Sequence, residues 1–203
     1  MGKLADLLLF EEEHDVEKLR LYCDMDGVLC NFDQRFDDLF GKQPSEVEKE
    51  KGTPYFWGMI HRVGKKFWAR MDWTPHGQEL WSAISEHKPT LLTAPPKKQG
   101  DFSQLDPVTM EGKKEWASVH LTPSPADIIF KPSKEKHVIA QQDVANGLVP
   151  ILIDDRSDII QRWKDAGGVG LHVEKNGDPS EVIQRIKKLY QVKDEGESSE
   201  ERI

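Results

Sequence analysis

Two pairs of carboxylates are the residues in this chain best spaced to do chemistry. Asp24 and Asp26 stand two positions apart in LYCDMDGVLCNF (residues 21–32), directly after the apolar run Leu21, Tyr22 and Cys23. Asp154 and Asp155 stand side by side in VPILIDDR (residues 149–156), directly after Ile151, Leu152 and Ile153. Short apolar runs of this kind read as parallel strands buried on both faces. Each acidic pair then falls at the carboxyl end of a strand, where open α/β sheets gather their ligands. Gly27 permits the backbone angles of the turn that leaves the first strand. A bare D-x-D-G after a strand is more often an ordinary acidic turn; the second pair changes the reading. Four carboxylates at one sheet edge cannot all ionise without a cation. A hard divalent ion with oxygen ligands, Mg²⁺ above all, is the natural occupant.

Two further segments stand in order between these two. LLTAP (residues 91–95) is a strand pattern ending on Thr93, SKEKHVI (residues 133–139) places lysines at a helix start, and ILIDDR closes the series. DMDGV resembles the first motif, D-x-D-x-[TV], of the haloacid dehalogenase-like (HAD) phosphatases, and LLTAP, SKEKHVI and ILIDDR resemble the second, third and fourth. FWARMDWTPHG (residues 67–77) resembles a segment of the 5'(3')-deoxyribonucleotidases within that superfamily, in which paired aromatics precede a Pro-x-Gly turn. The resemblance spans most of the chain.

It implies a three-layer, Rossmann-like α/β fold with a parallel sheet and a small helical cap inserted between the first and second motifs. The core would take residues 21–34 and 88–191, the cap residues 35–87. Asp24 would be the nucleophile that forms an aspartyl-phosphate, and Asp26 the acid that protonates the leaving alcohol and then activates water. Mg²⁺ would be held by the Asp24 carboxylate, the Asp26 backbone carbonyl and Asp155, with Asp154 the second choice. Thr93, Ala94 and a lysine would hold the phosphoryl oxygens; Lys136 fits the third motif best, with Lys134 the runner-up. Lys113, three before Trp116, matches a deoxyribonucleotidase lysine that reaches the substrate phosphate; a solvated lysine on a helix surface is the competing reading. Phe67 and Trp68 become candidates for stacking on a base, against plain cap packing. The implied substrate is a small phosphomonoester, a (deoxy)nucleoside 5'-monophosphate in particular, which places the chain in nucleotide metabolism. Sugar phosphates, nucleic-acid 3'-phosphate ends, or a non-catalytic phosphate-binding or partner-docking module are the alternatives.

The remaining sequence supplies the scaffold. Leu4, Leu7 and Leu8 read as a short amphipathic helix, with residues 1–20 forming that helix and a charged linker. Phe36, Leu39 and Phe40 have helical spacing that Gly41 can end, and Pro44 can open another helix. Tyr55, Phe56, Trp57, Phe67, Trp68, Trp73 and Trp81 crowd one stretch, a core for the cap. Helices are expected over residues 78–87, 112–119 and 158–166, with Ser133 capping the helix after the third motif. Strands are expected over residues 127–130 and at VGLHV, where His172 would pack, and residues 101–107 read as a polar loop. Asp178, Pro179 and Glu181 open a last helix buried through Val182, Ile183, Ile186, Leu189 and Tyr190. Residues 192–203 lack an apolar pattern and read as a disordered acidic tail.

Length and charge bound the rest. At 203 residues the chain fits one domain with an insertion. A net charge of −8 argues against a nucleic-acid partner. Cys23 and Cys30 read as reduced packing residues, which suits a cytoplasmic protein. No apolar run approaches the roughly 18 residues of a membrane helix. LADLLLF is too short for a signal peptide and Asp6 stands where a myristoylation signal needs Ser or Thr. A self-assembled oligomer is compatible with all of this.

Overall fold

The computed structural model describes residues 15–98 and 101–191, so the proposed N-terminal helix and the acidic tail lie outside the described residues. In chain order the elements are β1 (Leu19–Cys23), α1 (Phe32–Phe40), α2 (Pro44–Lys51), α3 (Thr53–Val63), α4 (Lys65–Ala69) and α5 (Gly77–Ile84). Then come β2 (Thr90–Thr93), β3 (Lys97–Lys98), β4 (Asp101–Leu105), α6 (Pro107–His120) and β5 (Ile128–Phe130). The chain finishes with α7 (His137–Ala145), β6 (Val149–Asp154), α8 (Ser157–Asp165), β7 (Val169–His172) and α9 (Ser180–Gln191).

Five strands form one sheet in the order β5-β2-β1-β6-β7, and every pairing in it is parallel. The period of two in a strand sends successive side chains to opposite faces, and here both faces are apolar. Leu21, Cys23, Leu91, Ile151 and Ile153 enter one core cluster with Val182, Ile183, Ile186 and Leu189 of α9. Tyr22, Leu92 and Leu152 face the other way, into a smaller cluster with Ala140, Ile159, Ile160 and Trp163. The result is a three-layer α/β fold of the Rossmann-like kind, as expected from the sequence.

Connectivity explains where a site can form. The chain runs from β1 outward through β2 to β5, then crosses back to β6 and β7 on the other side of β1. Strand order reverses beside β1, so helices leave its two flanks in opposite directions and a crevice opens at the strand ends. Register places the two acidic pairs level: Cys23 pairs with Ile153, and the Asp24 amide donates to the Ile153 carbonyl at 2.9 Å.

Helices α1 to α5 all lie between β1 and β2. Gly41 ends α1 in the left-handed conformation, φ 63°, as the spacing predicts, and Phe36, Phe56, Ile60, Phe67 and Trp68 are buried among these helices. Three expectations are corrected. Residues 101–107 are not a loop, since β4 pairs antiparallel with β3 as a short hairpin; their polar sequence carries no alternation to announce a strand. Ser133 does not cap a helix: it opens a 3₁₀ turn, Ser133–Glu135, and Lys136 occupies the N-cap of α7. His172 sits at the exposed end of β7 rather than inside the packed strand. No helix among the described residues is long and apolar enough to cross a membrane.

Leu152 is fully buried at the middle of β6. Leu152→Ala should destabilise the fold by about 2–5 kcal/mol, because the close-packed layers on that face leave a cavity. Denaturant unfolding measures it.

Candidate active site

The site is built on the turn that follows β1. The Met25 carbonyl accepts from the amides of Val28, Leu29 and Cys30, and the Gly27 amide donates to the Cys30 carbonyl at 2.9 Å. Gly27 has φ +80°, and a Cβ there would stand 2.5 Å from Asp155 Oδ2. Only glycine lets this turn close against the second acidic pair. The turn leaves Asp24 and Asp26 at the mouth of the crevice.

Lys136 is 1 % exposed and sits between two acids, its Nζ 3.0 Å from Asp24 Oδ1 and 2.7 Å from Asp154 Oδ2. Burial would strip its proton, but the Asp24 and Asp154 carboxylates outweigh that and hold the ammonium above its ordinary pKa. Lys134, by contrast, is exposed. Of the two lysines considered, it is Lys136 that the fold brings to the acids. Asp154 is spent on structure: Oδ2 takes Lys136 and Oδ1 takes the Arg156 amide at 3.0 Å. Asp155 instead lines the cavity, with the His172 Nε2 at 2.9 Å from its backbone oxygen.

A second buried lysine completes the arrangement. Lys113, on α6, is 0 % exposed, which removes the reading as a solvated surface lysine. Its Nζ donates to Asp26 Oδ2 and to Thr93 Oγ1, both at 2.6 Å. Burial of both cysteines holds their thiols well above the ordinary range, so they remain protonated and apolar.

Asp24, Asp154 and Asp155 can each bring a carboxylate oxygen within 4.8 Å of the others. Burial first, and Asp24 second, push Asp154 up to about 6 and Asp155 up to about 7. Asp24 Oδ1 is buried and receives no aligned hydrogen bond, Lys136 meeting it by proximity alone. A buried Asp24 oxygen met by the Lys136 ammonium at 3.0 Å, beside two acids that resist ionising, fits a divalent cation, with Asp24 and Asp155 the residues placed to hold it.

The crevice encloses a cavity of about 260 Å³ lined by Asp24, Asp26, Ala94 and Asp155 with the aromatics Phe32, Trp57 and Trp68. Trp68 therefore reaches the cavity although it is only 2 % exposed. Phe67 does not line it: the ring is fully buried, 5.3 Å from Phe32 and 5.1 Å from Trp68. For Phe67 the stacking role gives way to packing. Sequence reasoning missed Phe32, Trp57, Ser133, Arg156 and Lys175 as lining residues. The aromatic run signalled Trp57 without saying which rings face inward; nothing local marks Lys175, which enters through its 2.6 Å ion pair with Asp33.

No protein-family model and no curated protein matches the chain. Solved structures do. A hydrolase from Streptococcus pneumoniae TIGR4 aligns over 83% of this chain and 97% of its own, at 11% identity and TM-score 0.46. A HAD family enzyme from Bacteroides thetaiotaomicron, solved as a magnesium complex, aligns over 81% and 98%, at 15% identity and TM-score 0.47. A phosphonoacetaldehyde hydrolase-like protein from Oleispira antarctica aligns over 86% and 85%, at 12% identity and TM-score 0.46. These are distant likenesses, and the functional reading rests on the side chains described above.

The raised acids give a pH signature. Asp154 and Asp155, at about 6 and about 7, bind protons more tightly in the folded protein than in the unfolded chain, where Asp titrates near 3.9. Their contribution to stability is therefore largest at low pH, falls as pH rises from about 4, where the unfolded carboxylates ionise, and is lost above about 7. The metal-free protein should lose Tm across that window more steeply than Asp155→Asn does. Adding Mg²⁺ should raise Tm more above the window than below it. Thermal unfolding with EDTA or Mg²⁺ checks both.

Proposed function

We propose that this chain is a HAD-type phosphomonoester hydrolase that depends on Mg²⁺, works through an aspartyl-phosphate on Asp24, and acts on (deoxy)nucleoside 5'-monophosphates. The single observation that carries the reading is Asp24 itself. Its carboxylate has a buried oxygen with no aligned donor, at the mouth of a cavity, flanked by an ammonium and by a second acid. That is the environment a carboxylate nucleophile needs when its target is an anion. On this reading residues 21–34 and 88–191 are the core and residues 35–87 the cap.

The uncatalysed hydrolysis of a phosphate monoester is slow enough that about 20 kcal/mol of barrier must be removed. Asp24 attacks phosphorus in line with the ester oxygen, so that an Asp24–phosphorus bond forms as the ester bond breaks. Asp26 gives its proton to the departing alcohol and then takes one from the water that releases phosphate. Lys136 and the backbone around Thr93 and Ala94 face the non-bridging oxygens, and Lys136 also keeps Asp24 and Asp154 from repelling each other. Mg²⁺, held by Asp24 and Asp155, would supply positive charge against the carboxylate and the phosphoryl group.

Phe32, Trp57 and Trp68 support a leaving group with a flat ring, since an aromatic wall accepts any base by stacking. The half-buried Trp57 is the better test, because Trp68 is also core. Trp57→Ala should cost about 1–3 kcal/mol in kcat/KM on a nucleoside monophosphate, roughly five- to 150-fold, and much less on a small ester. Equal losses on both would remove the nucleotide from the reading.

The chemistry is tested by phosphate release from a panel of nucleotides and sugar phosphates. Asp24→Asn should abolish turnover with the fold intact, and EDTA should do the same reversibly. Full activity in either case contradicts the proposal.

A further inference from the structure

We propose that Asp33 sets the substrate range of this site: by neutralising Lys175 at the cavity wall, it selects leaving groups that carry no charge of their own. A nucleoside 5'-monophosphate is then preferred to a nucleoside 3',5'-bisphosphate. The inference rests on the phosphatase reading above and narrows its substrate class. Two cations line the cavity beside the acids, Arg156 and Lys175, and each is answered by a carboxylate. Arg156 Nε and Nη2 meet the two oxygens of Asp158, both at 3.1 Å. Lys175 Nζ stands 2.6 Å from Asp33 Oδ2.

Lys175 is held in place along its length. The loop that carries it turns tightly, with Asn176 at φ 57° and the Gly177 amide donating to the Glu174 carbonyl at 2.7 Å. The Asn176 amide donates to the Gly27 carbonyl at 3.1 Å, which ties this loop to the turn after β1. A Cβ on Gly27 would stand 3.1 Å from Lys175 Cγ, so the lysine stem crosses the same bare Cα that lets Asp155 close in. Its head then reaches Asp33, the second residue of α1, a helix capped by the Asn31 side chain on the Gln34 amide. The side chains of this pair are 46% and 28% exposed, against 52% and 44% for Arg156 and Asp158. Solvent screens the lysine pair less, so it carries the greater weight.

The consequence for the substrate follows from charge. A second phosphate on the leaving group would need positive charge of its own, and the wall offers only cations that are already balanced. Such an anion would meet Asp33 at nearly the range at which it met Lys175, losing to one what it gains from the other. A neutral leaving group has nothing to lose. Of the three ammonium donors Asp33 takes one, and the rest can serve a sugar hydroxyl or water. Asp33 thus acts by rejection, the repulsive element that specificity often requires. Removing its charge would leave Lys175 an unopposed cation on the wall and turn the preference toward the bisphosphate.

Competition between two nucleotides reads this directly. Deoxyadenosine 5'-monophosphate and deoxyadenosine 3',5'-bisphosphate are mixed in Mg²⁺, and the early yields of deoxyadenosine and its 3'-monophosphate give the ratio of their kcat/KM values. Wild type, Asp33→Asn and the double variant Asp33→Asn/Lys175→Met are compared. Asp33→Asn should shift the ratio at least about tenfold toward the bisphosphate, and the double variant should return to within about threefold of wild type. A variant that folds poorly slows both nucleotides alike and leaves the ratio readable. An unchanged ratio in Asp33→Asn overturns the inference. So does a gain that survives in the double variant, since Asp33 would then act by its own charge and not through Lys175. A wild-type chain that consumes neither nucleotide but cleaves 4-nitrophenyl phosphate would instead overturn the nucleotide substrate. Inactivity on all three would overturn the phosphatase reading itself, and in both cases this inference falls with it.

Discussion

Like charges crowd the end of two neighbouring strands, and the structure around them is arranged to make that tolerable. Among the described residues, Asp24, Asp26, Asp154 and Asp155 meet two fully buried ammonium groups, Lys113 and Lys136, while Lys175, ion-paired with Asp33, reaches Asp155 from the cavity wall. The four acids and two buried lysines together therefore carry more negative than positive charge when all ionise. The protein's own response is to hold Asp154 and Asp155 partly protonated near neutrality, at about 6 and about 7. One divalent cation would supply the missing charge, and a phosphoryl dianion could then enter a site that is otherwise repulsive to it. Breaking either buried pair by removing one partner leaves a charge stranded away from water, which is why the two lysines are held so firmly.

The scaffold follows from this constraint. A parallel sheet with both faces covered puts its strand ends in register, so Asp24 and Asp154 arrive level without any specific contact having to place them. Gly27 removes the side chain that would block the turn from Asp155, and Gly112 removes the one that would hold α6 off α4. Each of the two glycines substitutes close approach for side-chain volume. Helices α1 to α5 then bring Phe32, Trp57 and Trp68 over the opening.

Much of this was legible in the residues. An apolar triplet ending on an acidic pair is a local pattern, and it located both β1 and β6 with their carboxylates. Lys136 came from the resemblance, with Lys134 as runner-up, because a lysine-rich helix start does not by itself say which side chain is buried against the strand ends. Lys113 was ambiguous, because its burial depends on Gly112 and Trp116 packing against a segment far away in sequence. The same holds for the aromatics. Phe67 and Trp68 are adjacent and chemically alike, yet one lines the cavity and the other fills the core, a distinction set by how α4 rolls against α6 and Phe32. The hairpin of β3 and β4 escaped notice because its sequence has no apolar alternation to read.

The central claim is that Asp24 takes the phosphoryl group onto its own carboxylate, and trapping that adduct addresses it most directly. Wild-type protein turning over a nucleoside 5'-monophosphate in Mg²⁺ would be quenched in acid, digested and analysed by mass spectrometry. The account predicts a phosphoryl adduct, labile to base, on the peptide that carries Asp24. Steady release of phosphate with no adduct at any quench time, or with the adduct on another residue, would contradict it.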